Sequence, residues 1–259
     1  MEGTKKKMRI AAIINLKGGV GKTITSINSA YVLAEMGHRV LVVDNDKQGN
    51  TSKFFGVHSY ERGSLADIMA KGASAADVIR HTEFKNIDVI PANMELLTAN
   101  KAVLLDTTRP QQIRIKNALE AVQGEYDYCI IDCAPDINMS VINALTAADE
   151  FIIPIKIDNF TLDGVKEIMS QAEEIKKYFN PALTYRGGLI TSYRNNEVNI
   201  QGREYLRQQE KYKIFDTVFR WTAKVDESTF AALPILKHSS RCGAARDYKM
   251  FVKEWLGLE

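Results

Sequence analysis

Apolar residues fall along this chain in short unbroken runs, and most runs are followed by a stretch with helical spacing. The first run, "MRIAAIIN" at 8–15, predicts a buried strand. Residues 22–36 then set Ile24, Ile27, Tyr31 and Ala34 on one helical face, and Gly37 stops the helix. "HRVLVVD" predicts the next strand, apolar through Val43 before Asp44. "NIDVIPA", "YDYCIID", "EFIIPIKID" and "YRGGLIT" predict four more, with helical segments such as 163–179 between most of them. Continuous apolar strands alternating with helices predict an α/β fold: a doubly wound, mostly parallel sheet with helices on both faces. There is no internal repeat, low-complexity tract or Gly/Ser linker, so 1–259 reads as a single domain. In such sheets ligands bind beyond the carboxyl ends of the strands.

Composition narrows the class. With 45% hydrophobic and 25% charged residues the chain has the balance of an ordinary soluble globular protein. No apolar run approaches the ~20 residues of a membrane span. The start MEGTKKK lacks the apolar stretch of a secretory signal, so a cytoplasmic location is expected. Cys129, Cys133 and Cys242 are odd in number and lack paired spacing, which argues against a disulfide framework. Cys129 and Cys133 flank an apolar strand and read as packing residues. Net charge is near neutral but uneven. Residues 125–174 hold two lysines against eleven acids, whereas 176–224 hold ten Lys/Arg against four acids, which points to a basic surface on the later part.

Three predicted strand ends carry chemistry. After the first comes Lys17-Gly18-Gly19-Val20-Gly21-Lys22-Thr23, leading straight into a helix. Glycines let backbone N–H groups turn inward around phosphate oxygens, and the helix N-terminus adds positive potential. Lys22 suits β- and γ-phosphates and the Thr23 hydroxyl suits Mg²⁺. The loop departs from G-x-x-x-x-G-K-[ST], with Leu16 in place of the first glycine, then a second lysine, Lys17, and the pair Gly18-Gly19. The second strand ends in Asp44-Asn45-Asp46, and "YDYCIID" ends in Asp132, where a carboxylate can hold a metal-bound water opposite Thr23. Solvated loop residues would explain any one of these features. Their shared place at strand ends favours a site.

The run KGGVGKT, the segment "VVDNDKQGNTS", "CIIDCAPDI" and the closing "KVDESTFAALPILKHSSRCGAARDYKMFVKEW" together resemble the ParA/Soj/MinD family of deviant Walker A ATPases. The small ParA/Soj chromosome and plasmid partition proteins fit best. The resemblance implies a P-loop NTPase fold and a weak intrinsic ATPase with ATP and Mg²⁺ as cofactors. It also implies an ATP-dependent face-to-face homodimer, nonspecific binding to double-stranded DNA, nucleoid association, and release when a ParB-like partner stimulates hydrolysis. It assigns ATP binding to Lys17, Gly18, Gly19, Val20, Gly21, Lys22, Thr23 and Ile24. Catalytic roles go to Lys17, reaching across the dimer as an arginine finger does, to Lys22, and to Asp46, orienting the attacking water. Thr23 would be the direct metal ligand, with Asp44 and Asp132 acting through water. Lys47 and Ala134 stand where the family usually has proline. The chain begins close to its first strand, so no N-terminal helix-turn-helix domain is expected. The loop holding Asn195 and Asn196 is a plausible place for adenine contacts.

For the DNA surface, a helix over 197–212 would put Arg203, Arg207 and Lys211 on one face at four-residue spacing, with Arg220 and Lys224 adding charge. Such a stripe neutralises phosphates without reading bases. The competing reading is an ordinary solvated face on which Glu204 and Glu210 pair with Arg207. Two other functions compete with partition. A MinD-like membrane-cycling ATPase needs an amphipathic C-terminal tail, whereas "YKMFVKEWLGLE" reads as a packed closing helix, so a membrane partner is not expected. A redox ATPase resembling the nitrogenase iron protein needs cysteine ligands for a cluster, and Cys129 and Cys133 bracket a buried strand instead.

Overall fold

The structure is a computed structural model that describes residues 7–158, 161–209 and 211–258. Among these residues one sheet has eight strands: β1 (Arg9–Ile13), β2 (Val40–Asn45), β3 (Arg80–His81), β4 (Ile87–Ile90), β5 (Tyr128–Cys133), β6 (Glu150–Lys156), β7 (Thr184–Tyr193) and β8 (Ile214–Arg220). Their order is β3-β4-β2-β5-β1-β6-β7-β8, and every pairing is parallel except β3 with β4. β1 lies between β5 and β6, and its alternate residues feed two cores. Ile10 and Ala12 face the helices Leu65–Lys71, Glu95–Leu105 and Met139–Ala147, while Ala11 and Ile13 face Lys22–Glu35 and Gly243–Leu256. A strand covered on both faces has no solvent side, which is why its sequence runs apolar without alternation.

The six strands expected from sequence are present. Two others were not expected. β3 is a two-residue antiparallel edge, and β8 forms the opposite edge. β8 alternates buried Phe215, Thr217 and Phe219 with exposed Asp216 and Arg220, the half-covered pattern of an edge strand rather than an apolar run. The expected helix over 197–212 is also shorter: it spans Glu197–Arg207, capped by the Asn196 side chain. Lys211 therefore lies beyond the helix end and off its face, and Glu210 lies outside the described residues.

The closing helix Gly243–Leu256 turns Tyr248, Phe251, Val252 and Trp255 into the second core. Trp255 is 1% exposed and its indole Nε1 donates to Glu150 Oε1 at 2.7 Å. Glu150 begins β6 and is itself buried, but Arg9 on β1 grips it with two 2.8 Å hydrogen bonds. A buried carboxylate is tolerable when paired and hydrogen-bonded in this way. Trp255→Ala removes the largest side chain of this core and one bond to Glu150. It is expected to destabilise the chain by about 3–5 kcal/mol, read as a lower urea midpoint at unchanged slope; an unaltered midpoint would contradict this packing.

Candidate active site

Parallel pairing brings the carboxyl ends of β1, β2 and β5 together. The register sets Asp44 opposite Asp132 and Asp132 opposite Ile13. Asp44 is fully buried, and its Oδ2 accepts from the Ser52 amide at 2.8 Å and the Ser52 hydroxyl at 2.6 Å. Asp132 is 1% exposed; its Oδ2 accepts from Thr23 Oγ1 at 2.8 Å and Thr51 Oγ1 at 2.7 Å. Burial pushes the Asp44 carboxyl up to about 7, reinforced by Asp132, and pushes Asp132 up to about 6 against the pull of Thr51, Thr23 and Lys22. Two buried carboxylates side by side repel each other, and a divalent cation relieves that cost. Thr51 and Ser52 were not singled out from sequence. Their signal was two hydroxyls just after the Asp44-Asn45-Asp46 turn, in the short helix Asn50–Phe54. That helix starts from Gly49 at φ 64°, where an added Cβ would lie 2.6 Å from the Ala92 carbonyl oxygen.

The loop from Leu16 to Gly21 connects β1 to the helix Lys22–Glu35. Leu16 packs against the first core, which accounts for an apolar residue in that place. Gly19 and Gly21 have φ of 71° and 88°, conformations that side chains disfavour, and Val20 is buried with its carbonyl accepting from Thr191 Oγ1 at 2.8 Å. At Gly18 and Gly19 an added Cβ would meet nothing within 4 Å among the described residues. The loop is anchored at Val20 and bare along its glycine pair. Lys22 is 8% exposed and its Nζ donates to the Lys17 carbonyl at 2.9 Å, across the concavity of the loop. Burial holds its ammonium below the ordinary lysine value, and Asp132 opposes that shift.

Lys17 pairs with Asp158 beyond the end of β6, and its amide donates to Asn15 Oδ1 at 2.9 Å. Asp46 is half-buried and accepts from the Gln48 amide at 2.9 Å; its charge acts on both Lys22 and Asp132. Lys47 stands 3.7 Å from Asp136, so it ties the turn after β2 to the loop after β5. Ile24 is half-buried and lines a neighbouring cleft with Gly21, Thr25, Thr191, Phe219, Trp221 and Thr222. This cleft has the concave, apolar character that suits a flat ring. Asn195 and Asn196 do not line it, and Asn196 is occupied as a helix cap.

The family model described as an AAA domain matches residues 8–185. The sporulation initiation inhibitor protein Soj of Bacillus subtilis is 36% identical over 248 residues, covering 95% of this chain and 97% of that protein. The chromosome partitioning protein ParA of Caulobacter vibrioides is 34% identical over 256 residues, covering 97% and 95%. The chain belongs to the ParA/Soj family. Among solved structures, a cobyrinic acid a,c-diamide synthase from Mycobacterium smegmatis with bound ATP analogue and magnesium superposes with a TM-score of 0.84. It is 24% identical, covers 95% of this chain and 93% of its own, and shares the fold.

The basic residues expected to form one stripe are dispersed. Arg203 donates to the Asp216 carbonyl at 2.9 Å, and Arg207 pairs with the Asp216 carboxylate at 2.5 Å. Arg220 is tied to Asp247 at 2.6 Å, and Lys224 pairs with Glu227 at 2.7 Å. Lys211 lies 5.8 Å from the Tyr212 ring centre, off the helix. Arg207 takes its acid from β8, not from Glu204 on its own helix, because the unexpected edge strand runs alongside.

The buried acid pair makes the metal-free protein sensitive to pH. Asp44 holds its proton more tightly folded than unfolded, so its contribution to stability is complete below 3.8 and is lost as pH rises to about 7. Metal-free wild type is therefore expected to lose melting temperature more steeply from roughly pH 4 to pH 7 than Asp44→Asn does. Parallel melting curves for the two proteins would show that Asp44 keeps an ordinary carboxyl.

Proposed function

We propose that this chain is a partition ATPase: with ATP and Mg²⁺ bound it pairs face to face with a second copy, binds DNA without sequence preference, and lets go after hydrolysis stimulated by a ParB-like partner. One observation carries this reading. The loop presents a second lysine, Lys17, beside Gly18 and Gly19, where no described residue lies within 4 Å of an added Cβ, which favours close approach by a matching loop. The name of the ParA relative supports the partition role, and the ligands of the structural neighbour support the cofactors.

The residues fit such cofactors. Lys22 and the amides of the bare loop would hold the β- and γ-phosphates, and Thr23 would hold the metal, with Asp44 and Asp132 behind it through water. A magnesium ion held by these residues would supply positive charge against the charge developing on the phosphates. The Thr23 hydroxyl now spends its proton on Asp132, an orientation that leaves its oxygen lone pairs for a cation. Asp46, half-exposed at the rim, would orient the attacking water. Lys17 would exchange Asp158 for the phosphates held by the second copy and stabilise charge in trans. The cleft beside Ile24 would take the base. A cluster-bearing redox role is disfavoured: both strand thiols are buried, and burial lifts Cys133 to about 12 and Cys129 higher still, far from the thiolate that ligation uses. A membrane-cycling role would need an apolar helical face for lipid, and the closing helix spends its own on the core.

Lys22→Ala is expected to abolish ATP binding or turnover, since it removes the buried cation of the loop; nucleotide binding and phosphate release at wild-type levels would overturn the site. Asp46→Ala keeps the cradle and metal-holding side chains. It is expected to accumulate as an ATP-bound dimer in light scattering, with hydrolysis reduced by about 10²-fold or more. A monomer in the presence of ATP would mean that Asp46 serves another purpose.

A further inference from the structure

Thr191, near the carboxyl end of β7, reaches the glycine loop from a different strand. It is 4% exposed and pairs in register with Lys156 of β6. Its hydroxyl donates to the Val20 carbonyl at 2.8 Å, across 171 positions of the chain. A Cβ added to Gly21 would lie 3.8 Å from both the Cβ and the methyl of Thr191, so one side chain meets two consecutive loop residues. Strand β7 is irregular at this point. From Ile190 to Tyr193 it spends three positions where β8 spends two, from Val218 to Arg220, and Ser192 takes a φ of 51°. An extra residue of this kind re-aims a side chain, and positive φ at a non-glycine residue is strain that the surrounding structure has to hold.

We infer that Thr191 is a positioning residue for nucleotide binding: its hydroxyl fixes the peptide plane between Val20 and Gly21, so the loop is set for phosphate before any arrives. This rests on the nucleotide site proposed above. A trans peptide is planar and directs its C=O and N–H to opposite sides. Holding the Val20 carbonyl toward β7 therefore turns the Gly21 amide away from β7. That peptide needs an outside hold, because Gly19 and Gly21 flank Val20 at φ of 71° and 88° and glycine turns more freely than any other residue. Among the described residues, no backbone N–H of the turns and loops donates to the Val20 carbonyl. Val20 is 2% exposed, so without the hydroxyl this buried acceptor loses a partner that bulk water is poorly placed to replace. A donor already held in direction does not have to reorganise when an anion binds. Thr191 also lines the cleft beside Ile24, so direct contact with a base is the competing role.

The test compares full-length wild type, T191S, T191C and T191V by calorimetric titration with Mg-ADP and with Mg-pyrophosphate, which has the phosphates and no base. Serine keeps the hydroxyl, cysteine offers a weak S–H donor, and valine keeps the branched shape with no donor. Hydrogen–deuterium exchange of 16–24 is followed without ligand. T191V is expected to bind both ligands about five- to tenfold more weakly, the net worth of one buried hydrogen bond. Its amides over 16–24 are expected to exchange faster by a similar factor, while 248–255 in the second core exchanges as in wild type. T191S is expected to stay within about twofold of wild type, with T191C between it and T191V; the serine and cysteine variants carry the test if the valine variant does not fold. Wild-type affinity and exchange in every donor-poor variant that folds would overturn the proposal, as would an equal loss in T191S, which would assign the effect to the methyl group. A loss confined to Mg-ADP would make Thr191 a base contact instead, and faster exchange throughout the sheet would make it a residue of general stability. In each of these cases wild type still binds both ligands and the nucleotide site stands. Failure of wild type to bind either ligand would overturn that site as well.

Discussion

Two carboxylates end neighbouring parallel strands in register, and neither reaches water. Asp44 and Asp132 are held by hydroxyls from Thr23, Thr51 and Ser52, so the turn after β2, the short helix that follows it and the start of the helix after the glycine loop converge on one acid pair. Each hydroxyl removes part of the desolvation cost of a buried charge, and none removes the repulsion between the two. A pair of this kind is costly to keep empty and favourable to fill with a cation. Its neighbours are placed accordingly: Lys22 donates across the loop beside it, and Asp46 stands at its rim.

The loop shows a complementary arrangement. It is fixed at Val20 by Thr191 and at Leu16 by the core, while no described residue covers Gly18 and Gly19. Anchored ends and a bare middle give a rigid rim that a second copy can approach. Lys17 sits at that rim and, in the single chain, is neutralised by Asp158. Exchange of one anion for another is a modest energetic step for a partly exposed ammonium, as the action in trans proposed for Lys17 requires.

On the far side of the sheet, the edge strand β8 decides where positive charge faces outward. Asp216 and Asp247 absorb Arg207 and Arg220, and Glu254 turns from solvent to cap the β8 amides. The outward positions of the closing helix include Arg246, Lys249, Met250 and Lys253. The sequence carries a basic excess over 176–224, but folding spends part of it internally and exposes a different set beyond that range.

The alternation of strand and helix, the parallel sheet, and the loop from Lys17 to Thr23 can be read along the chain, because each depends on residues adjacent in it. Apolar runs declare a strand covered on both faces, and a glycine-rich turn between strand and helix declares its own geometry. Six strands and the helix over Lys22–Glu35 were legible for that reason. The edge strands were not, since β8 alternates and β3 is two residues long, and the helix over Glu197–Arg207 stops short of Lys211. Folding brings Thr23 to Asp132 across 109 positions, adds Thr51 to them, takes Lys17 to Asp158 across 141, and gives Arg207 an acid on another element. Those meetings follow from the register of strands joined by long crossovers, and register is fixed by how whole faces bury against helices, a sum over many distant contacts that no local stretch contains.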